Sequence, residues 1–282
     1  MSLAIAGSRS RFSRPGWLSL PLAIGFLVIL FWLLMTLFAP WVTIYDAMDM
    51  VGRRLQPPSW EHWLGTDSLG RDVLTRTLFG AWHSLPLAIL VVFLAVTIGS
   101  LIGAISGFVG GLVGGALMRL VDITLSFPPM LLAMAVAASL GPGLGNAAIA
   151  MVLVWWPVYA RLMRAQVLEI KEREHVEAAV AAGARPSRVL LRHIVPLSWM
   201  PILVSATMDL GQVVLLAASL SFIGLGAKPP TPEWGSMISD GATHFYQWWI
   251  AFGPGVAILT IVLGFNFIGD GLRDIWDPKS ND

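Results

Sequence analysis

Long apolar runs alternate along the chain with polar connections. The first, residues 17–42, is free of charge and follows a short polar start with Arg9, Arg11 and Arg14. A spanning helix needs about 20 apolar residues, whereas the core of a signal peptide has about 7–15. The run therefore predicts a retained first span rather than a cleaved leader. Similar runs predict further spans near 85–108, 123–140, 147–159, 201–225 and 249–268, six in all. The third is expected to kink at Pro128 and Pro129, and Gly141-Pro142-Gly143 to turn the chain tightly before the fourth. Gly99, Gly103, Gly107, Gly111 and Gly115 recur at every fourth position. Small residues at this spacing let helices approach closely in lipid, so the second span should pack tightly on a neighbour, with pore lining a secondary role.

Two polar segments interrupt this pattern. Residues 43–81 form a long connection in which Thr66 or Asp67 can cap a helix continuing through Leu69, Val73, Leu74 and Leu78. That apolar stripe suits a helix lying at the membrane interface. Asp67 and Asp72 read as a capping residue and a solvated acid, with metal ligation as the alternative. The second segment, residues 161–198, is the larger polar island. Leu162, Gln166, Val167 and Ile170 fall near one helical face. The Ala-rich run around Glu177 favours a helix by propensity alone. Gly183 offers a left-handed cap, Pro186 suits the first turn of a second helix, and Pro196 and Pro201 are expected to break the chain again. The island predicts a protruding helix-turn-helix whose small-residued tip a groove on another protein can approach closely.

Composition and charge sharpen the class. Only 12% of the 282 residues are charged, against about 25% in soluble domains, and 56% are hydrophobic. An all-α integral membrane protein is the fold class that fits. The absence of cysteine excludes a disulfide framework, and a net charge of +1 argues against nucleic acid as a partner. With the N-terminus inside, thirteen of the 18 basic residues fall on the inner side: Arg9, Arg11, Arg14, Arg119, Arg161, Arg164, Lys171, Arg173, Arg185, Arg188, Arg192, Arg273 and Lys279. Arg53, Arg54, Arg71, Arg76 and Lys228 fall outside. This bias places both termini and the polar island in the cytoplasm. After the glycine-rich link, ahead of the third span, Arg119 and Asp122 can pair at i, i+3.

Candidate chemistry is sparse. None of Lys171, Lys228 and Lys279 sits in a phosphate-binding Gly-x-x-x-x-Gly-Lys-Ser/Thr context, and no nucleophile elbow or zinc-protease motif is present. His62, His83, His175, His193 and His244 show no ligand spacing. Neither catalysis nor a cofactor or metal of the chain's own is indicated. Asp209 is the anomaly, since an ionisable group within a span is costly and marks a functional candidate by default. With Gln212 one turn on, it admits three readings: a buried hydrogen-bonded pair, the lining of a pathway, or proton coupling.

The series Glu177-Ala178-Ala179, Gly183 and Pro196 resembles the EAA loop of ABC importer permeases, with Val195 and His193 as mild departures. Two further stretches are similar to the branch serving dipeptides, oligopeptides and nickel: residues 60–72, containing Gly65-Thr66-Asp67-Ser68-Leu69-Gly70-Arg71-Asp72, and residues 221–235. The resemblance implies a six-span type I permease fold with a cytoplasmic coupling helix and a periplasmic interfacial helix. It implies residues 1–80 as tail, first span and extracytoplasmic segment, 81–274 as the permease domain, and 275–282 as a cytoplasmic tail. It further implies a second homologous permease as heterodimer partner, an extracytoplasmic substrate-binding protein, and a bacterial inner membrane. Two cytoplasmic ATPase subunits or domains would carry ATP and Mg, contacting Glu177, Ala178, Ala179, Gly183 and Arg188. A gradient-driven carrier using Asp209, or a scaffold that binds an ATPase and moves nothing, are the competing readings.

Overall fold

Five of the six expected runs fold into single long helices in the computed structural model, which describes residues 20–276. Arg9, Arg11, Arg14, Trp17 and Lys279 lie outside the described residues. Helix α1 (Leu20–Val42) is followed by α2 (Val73–Val109), then α3 (Gly111–Leu125) and α4 (Pro129–Leu140), and α5 (Leu144–Lys171). The polar island holds α6 (Glu174–Ala181), α7 (Pro186–Val189) and a π-helical turn (Leu190–Ile194). Helices α8 (Val195–Phe222), α9 (Trp234–Thr243) and α10 (Trp249–Trp276) complete the described residues. Among the described residues, five helical stretches are long and apolar enough to cross a membrane, and a sixth arises if α3 and α4 count as one span.

That third span departs furthest from its expected form. It starts earlier, at Gly111, and α3 and α4 meet at 89°, a break rather than a kink. Pro128 disfavours helical geometry in Phe127, and Pro129 starts a new helix at its first turn. Arg119 and Asp122 do not pair. Packing of Met118 and Val121 on Ala160 sets α3 against α5, and Asp122 instead accepts from Arg161 Nη2 at 2.6 Å.

The second span also starts earlier than expected. The cap is neither Thr66 nor Asp67 but Asp72, whose carboxylate accepts from the Thr75 backbone N–H at 2.8 Å. The stripe Val73, Leu74 and Leu78 forms the first turns of α2 rather than a separate interfacial helix. Gly80 leaves room for Trp234, which donates from Nε1 to the Thr77 carbonyl at 2.8 Å, and Thr77 meets Gly253. The short helix outside the spans at this end is α9.

Glycine decides the central packing. A side chain at Gly99 would collide with the Trp156 carbonyl and Tyr159, one at Gly103 with the Ala160 carbonyl and Met163, and one at Gly107 with Val167. The stripe thus fits α2 against α5, as its spacing predicts, while Gly111 and Gly115 lie beyond it in α3 beside open space. Gly103→Leu is expected to cost about 1–3 kcal/mol by overpacking. The fall shows as a lower melting temperature of the detergent-solubilised protein.

Remaining contacts set the two ends of the bundle. Leu22 packs on Gly271, Met208 on Gly269, and Lys171 Nζ donates to the Phe108 carbonyl at 3.0 Å. The start of α1, the ends of α2, α5 and α10, and the helix-turn-helix therefore share one end. Segment 43–72 and α9 occupy the other, where Trp249 Nε1 donates to the Thr66 carbonyl at 3.1 Å.

Candidate functional site

The helix-turn-helix grows directly out of a span. Helix α5 continues through the left half of the island to Lys171, because Val167 and Ile170 are buried in the core. Lys171 then ties the corner to α2, with its ammonium over the Phe108 ring at 5.6 Å as well as on the carbonyl. Helix α6 begins after Arg173 with Glu174 and Glu177 in its first turn, where acidic groups suit the helix dipole.

Gly183 ends α6 as its position predicts. Its φ is +80°, its N–H donates to the Val180 carbonyl at 2.9 Å, and Ala184 N–H donates to the Ala179 carbonyl at 3.1 Å. These two bonds form a Schellman closure. Pro186 then starts α7. The expected breaks at Pro196 and Pro201 do not occur. The π-turn widens the helix just ahead of Pro196, which sits in the first turn of α8, and Pro201 is accommodated inside that helix.

Burial separates an inner face of the hairpin from an outer one. Val176 and Val189 join the hydrophobic core and lock α6 and α7 to the bundle. Glu177, Ala178, Gly183 and Arg188 are exposed, and Ala179 is half-buried. No atom lies within 4 Å of the position a Gly183 Cβ would take. Of the five residues singled out by the sequence, four are thus exposed on the hairpin. Behind it, a cavity of about 420 Å³ lined by Phe108, Lys171, Val176 and Val180 separates the hairpin from the end of α2.

Asp209 does not pair with Gln212, which is exposed one turn away on α8. Its carboxylate accepts from the Tyr159 hydroxyl at 2.6 Å, with the Trp155 indole beside it. Tyr159 is fully buried in α5, while Asp209 keeps partial exposure. The sequence reading missed Tyr159. Its signal was modest: one of only three tyrosines, standing one turn after Trp155 in a span.

A second polar cluster, also missed, lies at the opposite end. Asp67 and Asp72 are not solvated but buried. Asp67 accepts from the Leu69 and Arg71 backbone N–H groups, and from Arg71 Nε at 2.7 Å, with Arg76 Nε at 3.4 Å. Asp72 bonds His62 Nδ1 at 2.9 Å. Gly65 and Gly70, with φ of +66° and +83°, fold the stretch between them tightly enough to enclose these charges. Among the described residues, no three His, Asp or Glu side chains gather as metal ligands. Glu233, buried nearby, caps α9 through the Gly235 and Ser236 N–H groups at 2.9 Å. Burial pushes its carboxyl above the usual range, and those N–H donors pull in the opposite direction.

Residues 95–282 match the family described as binding-protein-dependent transport system inner membrane component. The dipeptide transport system permease protein of Escherichia coli strain K12 is 47% identical over 91% of this chain and 88% of that relative. The corresponding dipeptide permease of Alkalihalophilus pseudofirmus is 45% identical over 91% of this chain and 85% of its own length. A glutathione transport system permease protein of Shigella flexneri serotype 5b is 45% identical over 90% of this chain and 84% of that protein. A chain from an inward-facing methionine ABC transporter superposes with a TM-score of 0.59 at 21% identity, covering 72% of this chain and 97% of its own. That likeness establishes the fold.

Proposed function

Since the chain belongs to the family of binding-protein-dependent transport system inner membrane components, we propose that it imports short peptides as one half of a pore coupled to cytoplasmic ATPases. A permease subunit of an ABC importer needs neither the gradient-driven nor the scaffold reading. The cargo class follows the relatives, whose names specify dipeptides and glutathione. Glutathione shares with dipeptides a small peptide skeleton bearing an ammonium and carboxylates.

The observation that carries the coupling role is the exposed surface of α6, with Glu177, Ala178 and Gly183 displayed and Val176 anchoring it from behind. A hairpin that grows out of α5 and runs through the π-turn into α8 transmits a push from outside the membrane into the bundle. The chain has no phosphate-binding loop, so two ATPase subunits or domains hold the ATP and Mg. A second homologous permease completes the pore, and an extracytoplasmic protein delivers the cargo. The charge bias supports an inner-membrane orientation with the hairpin end and both termini in the cytoplasm. Residues 1–80 serve as an added span and outer segment, 81–274 as the permease proper, and 275–282 as a tail. Asp209, held by Tyr159 and followed by Gln212, lines the pathway.

Co-expression with its ATPase and permease partners, followed by affinity purification and uptake of a labelled dipeptide into vesicles, tests this. The ATPase subunits should co-purify and uptake should require ATP. Glu177→Lys should lower cargo-stimulated ATP hydrolysis about two- to fivefold, the scale of an exposed ion pair, with membrane insertion unchanged. ATP-independent uptake, or a complex lacking the ATPases, would rule the reading out.

A further inference from the structure

At the end of the bundle opposite the hairpin lies a half-open cavity of about 360 Å³. Its walls are the 67–71 loop, the start of α2, the segment after α8, and α9. Four charged side chains line it, Arg71 and Arg76 against Asp67 and Asp240, so the site is balanced. Two of the four are fully engaged. Arg76 bonds the Ala47 and Pro230 carbonyls while facing Asp67, and Asp67 takes both backbone and guanidinium donors.

The other two have capacity left. Arg71 is only 7% exposed, yet its one side-chain hydrogen bond runs from Nε to Asp67, and Nη1 has no hydrogen-bond partner among the described residues. A buried donor left unmade costs about 1–3 kcal/mol, more for a charged group. Asp240 faces the same space. It accepts from Ser68 Oγ at 2.9 Å, with His244 Nδ1 at 3.3 Å, and its side chain keeps 26% of its exposure. A guanidinium fork with spare donors and an open carboxylate, in a site of zero net charge, complement a ligand carrying one carboxylate and one ammonium. Hydroxyls of Ser236 and Thr243 add neutral partners for amide groups. The volume falls within the range of about 300–1,000 Å³ typical of small-ligand sites.

We propose that this cavity is a binding site for a zwitterionic short peptide or amino acid, with its carboxylate at Arg71 and its ammonium at Asp240. The inference rests on the peptide reading above for its choice of probe and for the role of the bound peptide as cargo. The site holds cargo on the outer side of the bundle, ahead of the membrane-spanning passage.

Equilibrium binding of radiolabelled alanyl-alanine to the purified complex, with no delivery protein present, tests the proposal. Saturable binding is expected, weakened at least tenfold when the peptide is N-acetylated or C-terminally amidated. Asp240→Asn should erase the preference for a free amino group, and Arg71→Gln the preference for a free carboxylate. Arg71→Gln also strips Asp67 of a partner and can unfold the loop. Thr243→Trp, on the exposed rim of α9, therefore serves as the second variant: it should fill the cavity and remove binding at an unchanged melting temperature. Equal binding in wild type, Asp240→Asn and Thr243→Trp would overturn the site. So would no saturable binding by a complex that takes up the peptide when the delivery protein is added, which leaves water as the only occupant. Binding intact but no peptide uptake by the complete assembly would instead refute the proposed cargo and leave the site standing.

Discussion

Replacing Gly183 by proline should abolish cargo-stimulated ATP hydrolysis in the assembled transporter while the chain still inserts and reaches normal levels in the membrane. Proline locks φ near −65°, and Gly183 has a φ of +80° with its N–H donated to Val180. The substitution loses both the conformation and the bond that close α6. Gly183→Val retains the N–H and costs about 1–2 kcal/mol from the left-handed backbone alone, a five- to thirtyfold loss of the closed form. A partner that binds only the closed form loses affinity in the same proportion. The space around Gly183 is empty, so sterics with neighbours contribute nothing. Asparagine, which tolerates the left-handed region, should restore most of the coupling. ATPase assays on the reconstituted complex check the series. Equal activity in glycine, valine and proline forms would detach the hairpin from the ATPase.

Asp209→Asn should cut peptide uptake by roughly tenfold to a hundredfold while binding-protein-stimulated ATP hydrolysis persists. The magnitude is that of one hydrogen bond to a charged group, about 1.5–3 kcal/mol. Asparagine keeps an acceptor for the Tyr159 hydroxyl, so the α5–α8 contact survives and the loss reports the charge itself. Tyr159→Phe frees the carboxylate from its donor and should disturb uptake less, because Asp209 keeps its exposed side. Uptake assays in proteoliposomes separate these outcomes. Unchanged transport in Asp209→Asn would return the residue to a packing role.

Local devices were legible without coordinates. The glycine cap at 183, the proline start at 186 and the packing stripe at 99, 103 and 107 each depend on neighbours three or four positions away. Chain spacing states those relations directly. Partnerships across the bundle were not legible. Asp122 turns to Arg161 rather than Arg119 because Met118 and Val121 seat α3 on α5. Asp209 meets Tyr159, fifty positions earlier, because α5 and α8 both pack on the core around α2. Asp67 and Asp72 were misjudged for a related reason. Single residues in a polar segment look solvated until Gly65 and Gly70 fold the loop over them.

By itself, the sequence determined the membrane class, the approximate spans, the side of the bundle bearing the basic residues and the presence of a protruding hairpin. All of these follow from hydropathy, local propensity and charge counts along one strand of chain. Tertiary structure alone decided the right-angled break between α3 and α4, the burial of the first turns of α2, the acceptor for Tyr159 and the balanced cavity around Arg71 and Asp240. The physical reason is shared. Each depends on which helix faces share a contact, and that choice is made by close packing between segments far apart in the chain.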